Sequence, residues 1–279
     1  MTVTVLDIIR VMDQIAPSSL AEEWDNAGLQ IGSYRWPVRV VGVALDPTAG
    51  VIDAAARKRV DLLITHHPLI FEPLAKIDVD TPTGAIIESA LQRRLAVFSA
   101  HTNMDKCEGG LNHVLANRLG LKNLEVLAAG RKESSFTALN GLEINKQEGL
   151  GRIGHLERPI QLQKLAARIK KKLNINRLKF VGKPDLIVTR AAVCTGSGSS
   201  LLSYFIDSDA QVYISGDLRY HDARDIEARG LGLIDIGHFT SEYLIVEDLS
   251  ERLKKILSDM NLKVKVAICG SEKDPFVFS

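Results

Sequence analysis

The sequence predicts an α/β protein made of two units, each with helices packed on a mixed sheet. Three observations predict this fold class. Apolar runs of strand length alternate with amphipathic helical segments, the links between them are short, and the same order of elements occurs twice. The chain has 279 residues, which is long for one hydrophobic core and favours two packed units.

The first half begins with an amphipathic helix at residues 5–15, where apolar residues recur at helical spacing and Pro17 follows. Residues 24–32 form a turn-rich segment. Strands and helices then alternate along the chain, which predicts a largely parallel sheet. This alternation predicts strands at 40–45, 61–65 and 95–100, and helices at 49–58, 84–93 and 110–119.

Glycine-rich residues 128–158 interrupt this alternation, and two alternating segments there predict antiparallel strands at 136–144 and 152–156. A helix at 159–173 follows, and the alternation resumes. It predicts strands at 190–194, 211–214, 233–236 and 264–268, and helices at 199–206, 221–229 and 241–260.

The two halves show a weak internal duplication. Three strands separated by helices lead to His101 in the first half, and three lead to His238 in the second. Few residues are identical, so the order of elements is the main support, and chance similarity of two α/β halves is the alternative. We therefore expect a first unit at 1–127, with 232–279 packing back on it, and a second unit at 128–231.

Composition excludes several classes of function. The net charge is +1 and aromatic residues make up 5% of the chain, so a nucleic-acid partner is not expected. The sequence has no apolar run of membrane-spanning length and no signal-peptide pattern at its start, which predicts a cytoplasmic protein without a membrane partner. The three cysteines are far apart, so histidines and carboxylates must supply the ligands of any bound metal.

Adjacent histidines, His66 and His67, follow the second predicted strand of the first half. Neighbouring side chains inside a strand point to opposite faces, so both serve one site only where the chain leaves the sheet. Pro68 supports such an exit because proline cannot continue a central strand. Both imidazoles are therefore expected at the carboxyl end of a strand, where open α/β sheets bind ligands.

Each half ends its third strand with a histidine that is followed, four residues later, by a carboxylate. These pairs are His101 with Asp105 and His238 with Glu242. On a helix this spacing places both side chains on one face. That geometry suits His238 and Glu242, whereas the loop-like residues around His101 leave its geometry open.

These six side chains predict a site for two divalent metal ions. Imidazole and carboxylate are common ligands of zinc, iron, manganese and nickel when thiolates are absent, and the sequence does not select among these metals. Two nearby metal ions are held together by bridging anions, a role we assign to Asp105 and Glu242. Histidines would then fill terminal positions and leave room for water. His101 is either a ligand or a residue that orients Asp105.

Three further motifs keep two interpretations each. Residues 195–200 either cradle an anion or form a structural turn without the lysine of a phosphate-binding loop. Asp217, His221 and Asp222 either support the site or cap a helix. Residues 24–26 either form a wall of the metal site or a turn.

Seven segments together resemble one known family. They are WDNAGLQIG at 24–32, ITHHPLIF at 64–71, HTNMD at 101–105, GGLN at 109–112, GSGSS at 196–200, SGDLRYHD at 215–222 and GHFTSE at 237–242. In this order they resemble the Nif-three-like family of dinuclear metal-centre proteins, whose members are often labelled GTP cyclohydrolase I type 2 homologues. The resemblance extends from about residue 5 to residue 276.

The resemblance implies two intertwined α/β units, a toroidal homohexamer and a dinuclear metal site. It implies metal ligands at His66, His67, Asp105, His238 and Glu242, with His101 close by. The family label implies a nucleotide or related heterocycle as ligand, although a fold does not determine a function.

Three functions are consistent with such a site. The first is a metal-dependent hydrolase or cyclohydrolase, in which two metals would polarise the target and activate water. The second is an iron or zinc carrier or insertion factor without turnover of its own. The third is an adaptor whose metals only join the two halves of the chain. The sequence contains no dedicated general base away from the predicted ligands, so the reaction stays open.

Overall fold

The structure is a computed structural model that describes residues 2–129, 148–270 and 272–277. The strands, in chain order, are β1 Gly28–Ile31, β2 Val40–Ala44, β3 Leu62–Thr65, β4 Ala96–Ser99, β5 Lys122–Ala129, β6 Gly149–Gln161, β7 Lys179–Val181, β8 Ile187–Ser197, β9 Val212–Gly216, β10 Gly232–Asp235 and β11 Lys265–Ile268. The α-helices are α1 Val5–Ile15, α2 Ala49–Arg57, α3 Pro82–Gln92, α4 Thr102–Lys106, α5 Leu111–Leu119, α6 Leu162–Leu173, α7 Leu202–Ile206, α8 Tyr220–Ala228, α9 His238–Glu242 and α10 Leu244–Asp259. Short 3-10 helices occupy Ser18–Leu20 and Ser199–Leu201.

The chain divides into two compact units. Residues 1–104 and 245–279 form the first unit, and residues 105–244 form the second. The predicted bounds, 1–127, 128–231 and 232–279, followed the proposed duplication, and as domain bounds they stay a prediction. By strand pairing, however, β5 belongs to the second unit, because it pairs antiparallel with β6.

The first unit contains a five-stranded mixed sheet in the order β1-β4-β3-β2-β11. Only β1 runs antiparallel to its neighbour, while β4, β3, β2 and β11 are parallel. Strands β3 and β4 are buried at every position, as expected for parallel strands covered on both faces. Apolar side chains of α2 and α3, among them Ile52 and Ile87, join Leu63 and Val97 in one core cluster.

The second unit contains a six-stranded mixed sheet in the order β5-β6-β8-β9-β10-β7. Its central strands β8, β9 and β10 are parallel. Alternate residues of β9 face opposite cores: Ile214 packs with Leu165 and Ile169 of α6, whereas Tyr213 packs with Phe205 of α7. This period of two places helices on both faces of the sheet.

The two sheets share a strand order that supports the internal duplication. In the first, the antiparallel edge strand β1 precedes β2, β3 and β4 in the chain and pairs with β4. In the second, the antiparallel edge strand β7 precedes β8, β9 and β10 and pairs with β10. The predicted class of two α/β units with mixed sheets is therefore confirmed.

Several local predictions need correction. Residues 28–31 form strand β1 rather than a turn, and residues 159–161 end strand β6 instead of beginning a helix. The helix expected at 241–260 is two helices, α9 and α10, which meet at Tyr243. The short strand β7 was missed because two of its three residues are exposed and carry no alternating apolar pattern. The strand predicted at 136–144 lies outside the described residues.

Among the described residues, every helix is too short or too polar to span a bilayer.

Candidate functional site

The paired histidines lie where β3 ends. The backbone N–H groups of His66 and His67 both donate to the carbonyl oxygen of Leu45, at 3.1 Å. Ser99 Oγ donates to the carbonyl oxygen of His66 at 2.7 Å, and Thr65 Oγ1 donates to that of His67 at 2.8 Å. These bonds bend the chain out of the sheet, which lets adjacent imidazoles lie on one side, as the sequence predicted.

Three histidines converge in the first unit. Ring nitrogens of His66, His67 and His101 lie within 4.8 Å of one another and form a group that could hold a metal ion. We call these three residues the histidine group. His66 is buried at 3% exposure, and the side chains of His67 and His101 are 24% and 15% exposed. His101 therefore lies with the other two imidazoles, where its ring nitrogen could serve as a metal ligand.

Each ring of the histidine group is oriented through its Nδ1 atom. His66 Nδ1 lies 2.9 Å from the carbonyl oxygen of Ala100, His67 Nδ1 lies 2.8 Å from Asp46 Oδ1, and His101 Nδ1 lies 2.8 Å from Asp25 Oδ1. These oxygens only accept, so each Nδ1 carries the proton and Nε2 carries the lone pair. Histidines that bind metals show this arrangement, because the outer hydrogen bond fixes the tautomer and raises the basicity of the ring.

Asp25 is held rigidly beside His101. Its carboxylate also accepts hydrogen bonds from the backbone N–H of Thr102, at 3.0 Å, and from the hydroxyl of Thr102. Burial opposes ionisation of Asp25, but the bonds from His101 and Thr102 outweigh it and lower the pKa to about 2. Asp25 is therefore a permanent carboxylate acceptor for His101 at neutral pH.

Glu272 supports the chain segment that carries Asp46. Its carboxylate accepts hydrogen bonds from the backbone N–H of Leu45, at 2.9 Å, and of Asp46, at 2.8 Å. Burial raises the pKa of Glu272 above its ordinary value, while these two bonds act in the opposite direction. A residue near the end of the chain thus helps to position the acceptor of His67.

The second unit contributes its own histidine and carboxylate. Gly237, with φ +81°, starts the five-residue helix α9, on which His238 Nε2 lies 3.0 Å from Glu242 Oε2. His238 Nδ1 donates to Asp217 Oδ2 at 2.8 Å, which repeats the pattern of the histidine group. The hydrogen bond with Glu242 raises the pKa of His238 to about 9, against the effect of burial. Glu242 itself is only 4% exposed.

Asp105 and Glu242, the two predicted bridging carboxylates, both lie beside Thr195 and Gly196 near the end of β8. Thr195 Oγ1 donates to Asp105 Oδ1 at 3.3 Å. Gly196 adjoins Glu242 so closely that a Cβ atom on this glycine would overlap Glu242 Oε1. The second unit therefore brings both carboxylates to the carboxyl end of β8.

Residues 195–200 comprise the end of β8 and the start of a 3-10 helix, and their contacts favour a structural role over the alternative of an anion cradle. The backbone N–H of Gly196 already donates to Ser241 Oγ at 2.8 Å, and that of Thr195 donates to Asn112 Oδ1 at 2.9 Å. A Cβ on Gly198 would overlap side-chain oxygens of Tyr213 and Ser215. These amides and glycines serve close packing around the carboxylates rather than an open anion cradle.

The polar residues at 217–222 have separate roles. Asp217 orients His238, whereas Asp222 Oδ2 accepts from the backbone N–H of Arg219, at 3.1 Å, and from Ser199 Oγ, at 2.6 Å, which caps α8. The ring of His221 packs edge-on against Tyr220. Both interpretations of this segment thus apply, each to a different residue.

The sequence did not predict that Asp25 and Asp46 orient histidines, or that Glu272 holds the segment that carries Asp46. Asp46 carried a usable signal, because it directly follows strand β2 at the same edge as the histidines. Asp25 lies in the segment 24–26, which the sequence offered as a wall of the metal site or a turn, but its bond with His101 across 76 residues had no local signal. The bond of Glu272 with Leu45 across 227 residues had none either.

Comparison with known proteins identifies the relatives of this chain. The family described as Duf34/NIF3 (NGG1p interacting factor 3) matches residues 3–275. The chain belongs to this family. A protein of Clostridium acetobutylicum named GTP cyclohydrolase 1 type 2 homolog is 32% identical, and the match covers all of both chains.

Solved structures agree with this assignment. A Bacillus cereus protein related to NIF3 superposes with a TM-score of 0.89 at 28% identity and is covered over its full length, as is this chain. Staphylococcus aureus protein SA1388 gives the same TM-score at 29% identity, with 99% of each chain covered. The family resemblance inferred from sequence motifs is therefore confirmed.

Proposed function

We propose that this Duf34/NIF3 protein binds two divalent metal ions and uses them as a hydrolase or cyclohydrolase that acts on a nucleotide or related heterocycle. The ligands in this proposal are His66, His67, Asp105, His238 and Glu242, with His101 as a sixth. One observation carries this proposal. Four histidines each donate from Nδ1 to a carboxylate or carbonyl oxygen, which leaves Nε2 as the atom that can bind a metal: His66, His67, His101 and His238.

The donor chemistry fits the proposed ions. Neutral imidazole and carboxylate oxygen suit zinc, iron, manganese or nickel. The three cysteines are free and buried, and none of them is among the proposed ligands. Thr195 and Gly196 hold Asp105 and Glu242 at one strand end, which is consistent with the bridging role that we assign to both carboxylates.

The chain's own residues have distinct tasks in this function. Bound divalent metals supply polarisation of a substrate oxygen and activation of water. Asp25, Asp46 and Asp217 hold His101, His67 and His238 in the tautomer that presents Nε2. His66 and Glu242 are almost fully buried, which keeps bulk water from these two side chains and strengthens their electrostatic interactions.

A metal carrier or insertion factor is the second candidate, and one observation favours it. The side chain of His238 is 36% exposed, whereas His66 is 3% exposed. A metal held by the more exposed group would exchange faster, as transfer to another protein requires. Equal and very slow release of both ions to a chelator would contradict this alternative.

Metal analysis after anaerobic purification tests the proposal. We expect two ions per chain, and we expect His66→Ala and His238→Ala each to lower that number. His155→Ala changes a histidine on strand β6 outside both groups and is the matched control. Metal content unchanged by both ligand substitutions would contradict the proposal.

Turnover is a separate measurement on the metal-loaded protein. We expect GTP or a related heterocycle to be hydrolysed, and Glu242→Gln to abolish that activity. Full metal loading without GTP turnover would reject the cyclohydrolase version and leave the carrier function.

Assembly and location follow from the resemblance and the sequence. A homohexamer is our proposal for the assembled state, and light scattering on the purified protein measures it. The cytoplasm is likewise the location that we propose.

A further inference from the structure

Two exposed aromatic side chains lie beside the histidine group. Trp24 is 61% exposed and Phe71 is 52% exposed. Their ring centroids are 5.9 Å apart with an interplanar angle of 54°, and each lies 6.3 Å from the ring centroid of His101. We call Trp24 and Phe71 the aromatic corner. It presents two apolar ring surfaces next to an imidazole of the metal-binding group.

Hydrogen bonds join the chain segments that carry the two rings. Asn26 Nδ2 donates to the carbonyl oxygen of Ile70 at 2.6 Å, and Gln30 Oε1 accepts from the backbone N–H of Ile70 at 3.1 Å. Gln30 Nε2 also donates to the carbonyl oxygen of Asn26 at 2.6 Å. Two separate segments are thus tied together directly beside Trp24 and Phe71.

The same network ties the aromatic corner to His101. Asp25, the neighbour of Trp24, has a fully buried side chain that bonds His101 and Thr102. Phe71 follows His66 and His67 after only a short loop. Backbone positions of both aromatic residues are therefore set relative to the histidine group, although their rings remain open to solvent.

We propose that the aromatic corner is a binding subsite for a flat heteroaromatic ring, such as a purine base, which stacks on the exposed ring of Trp24 and meets the tilted ring of Phe71 at its edge. Every base has a π-face, so stacking on aromatic side chains tolerates different bases. A ring stacked there would lie beside His101, within reach of the metal-binding group. The inference rests on the proposed function, since it names the class of substrate that this site receives.

Tryptophan fluorescence of the full-length, metal-loaded protein tests the subsite. The chain has two tryptophans, and Trp36 is only partly buried with Arg94 over its ring at 5.4 Å. In Trp36→Phe, Trp24 is the only reporter, and we expect guanosine and adenosine to quench it saturably. Inorganic tripolyphosphate has no ring and should leave the signal unchanged.

Two variants make the test specific. Phe71→Ala, combined with Trp36→Phe, should weaken guanosine binding about tenfold or more, because one of the two aromatic contacts of the base is lost. Trp24→Phe leaves Trp36 as the only reporter, and its emission should not respond to guanosine. Metal content is measured in parallel and should equal that of the unmodified protein in both variants.

The outcomes separate this inference from the proposed function. Guanosine quenching that is lost in Phe71→Ala while metal content is kept supports the subsite. No quenching by either nucleoside in fully metal-loaded protein overturns the subsite and leaves metal binding intact. A change of assembled mass in Phe71→Ala, without nucleoside quenching, overturns it as well and assigns the aromatic corner to contact between copies of the chain. Failure of the unmodified protein to bind metal rejects the proposed function itself.

Discussion

Asp25 Oδ1 accepts a hydrogen bond from His101 Nδ1 at 2.8 Å, and Asp217 Oδ2 accepts one of the same length from His238 Nδ1. His101 follows strand β4, and His238 follows strand β10, which occupies the corresponding place in the other sheet. The duplicated strand order thus extends to the histidine that follows β4 or β10, whereas its carboxylate acceptor has a different origin in each unit: Asp25 precedes β1, and Asp217 follows β9.

Removal of the carboxylate of Asp25 should weaken metal binding at the histidine group. In Asp25→Ala, His101 loses the acceptor that fixes its tautomer, and partners of this kind contribute about 10- to 100-fold to metal affinity. A chelator competition with zinc measures the change. Asp53→Ala, which removes a carboxylate in a surface ion pair with Arg93, is the control and should bind metal normally. Equal affinities of Asp25→Ala and the unmodified protein would show that His101 is not a ligand.

Metal affinity at His238 should increase with pH. Because Glu242 raises the pKa of His238 to about 9, the imidazolium persists at neutral pH, and a metal ion must displace its proton from Nε2. We expect affinity to rise about tenfold per pH unit below pH 9 and to level off above it. The stability of the metal-free protein has the opposite pH dependence. The ion pair of His238 with Glu242 stabilises the fold fully below about pH 6.5, and this stabilisation is lost as the pH rises through about 9.

Calorimetric titrations at pH 7, 8 and 9 in buffers of different ionisation enthalpy measure this proton release. His238→Asn should bind metal more weakly and lose most of the pH dependence. A metal affinity independent of pH over this range would contradict the raised pKa of His238.

Local patterns predicted the parallel strands of both sheets, most helices and the histidines at strand ends, but missed the strands β1, β5 and β7. Apolar runs of strand length predicted β2, β3 and β4. Pro68 indicated that the chain leaves the sheet there, which predicted that the side chains of His66 and His67 lie at one site. The orienting residues could not be predicted in this way, since Asp25 and Glu272 act through contacts between distant segments. Pairing of β1 with β4 brings residue 25 to His101, and this pairing depends on the assembled sheet rather than on local sequence.

Arg152 offers a test of how the segment after Asp105 is held. This arginine is fully buried, and its guanidinium donates to the carbonyl oxygens of Cys107, at 3.0 Å, and Gly149, at 2.7 Å. Arg152→Met removes the guanidinium donor from both carbonyls; that of Cys107 keeps a bond from the backbone N–H of Gly110, at 3.1 Å, whereas a buried carbonyl left without a donor costs about 1–3 kcal/mol. Denaturant unfolding should show a clearly lower free energy of unfolding.

Arg168→Met is the matched control for Arg152→Met. Arg168 also donates to a backbone carbonyl, that of Leu119, but at a partly exposed position. Water can replace its hydrogen bond, so the loss of stability should be small. Similar destabilisation by both substitutions would mean that burial of Arg152 adds nothing.

The contact between Gly196 and Glu242 predicts a selective loss of metal binding. Gly196 has φ +63°, and a Cβ there would overlap Glu242 Oε1. In Gly196→Ala, the carboxylate must move away from its position at the end of β8. We expect lower thermal stability together with markedly weaker metal binding, measured by thermal unfolding and chelator competition.

Gly230→Ala separates displacement of Glu242 from backbone strain. Gly230 has a similar φ of +73°, but a Cβ there meets nothing within 4 Å. Alanine at either position should cost about 1–2 kcal/mol of conformational strain, because L-residues disfavour the left-handed region. Only Gly196→Ala also forces Glu242 to move, so only this variant should lose metal affinity beyond its loss of stability. If both variants bound metal equally well, the close packing of Gly196 would have no role in positioning Glu242 as a ligand.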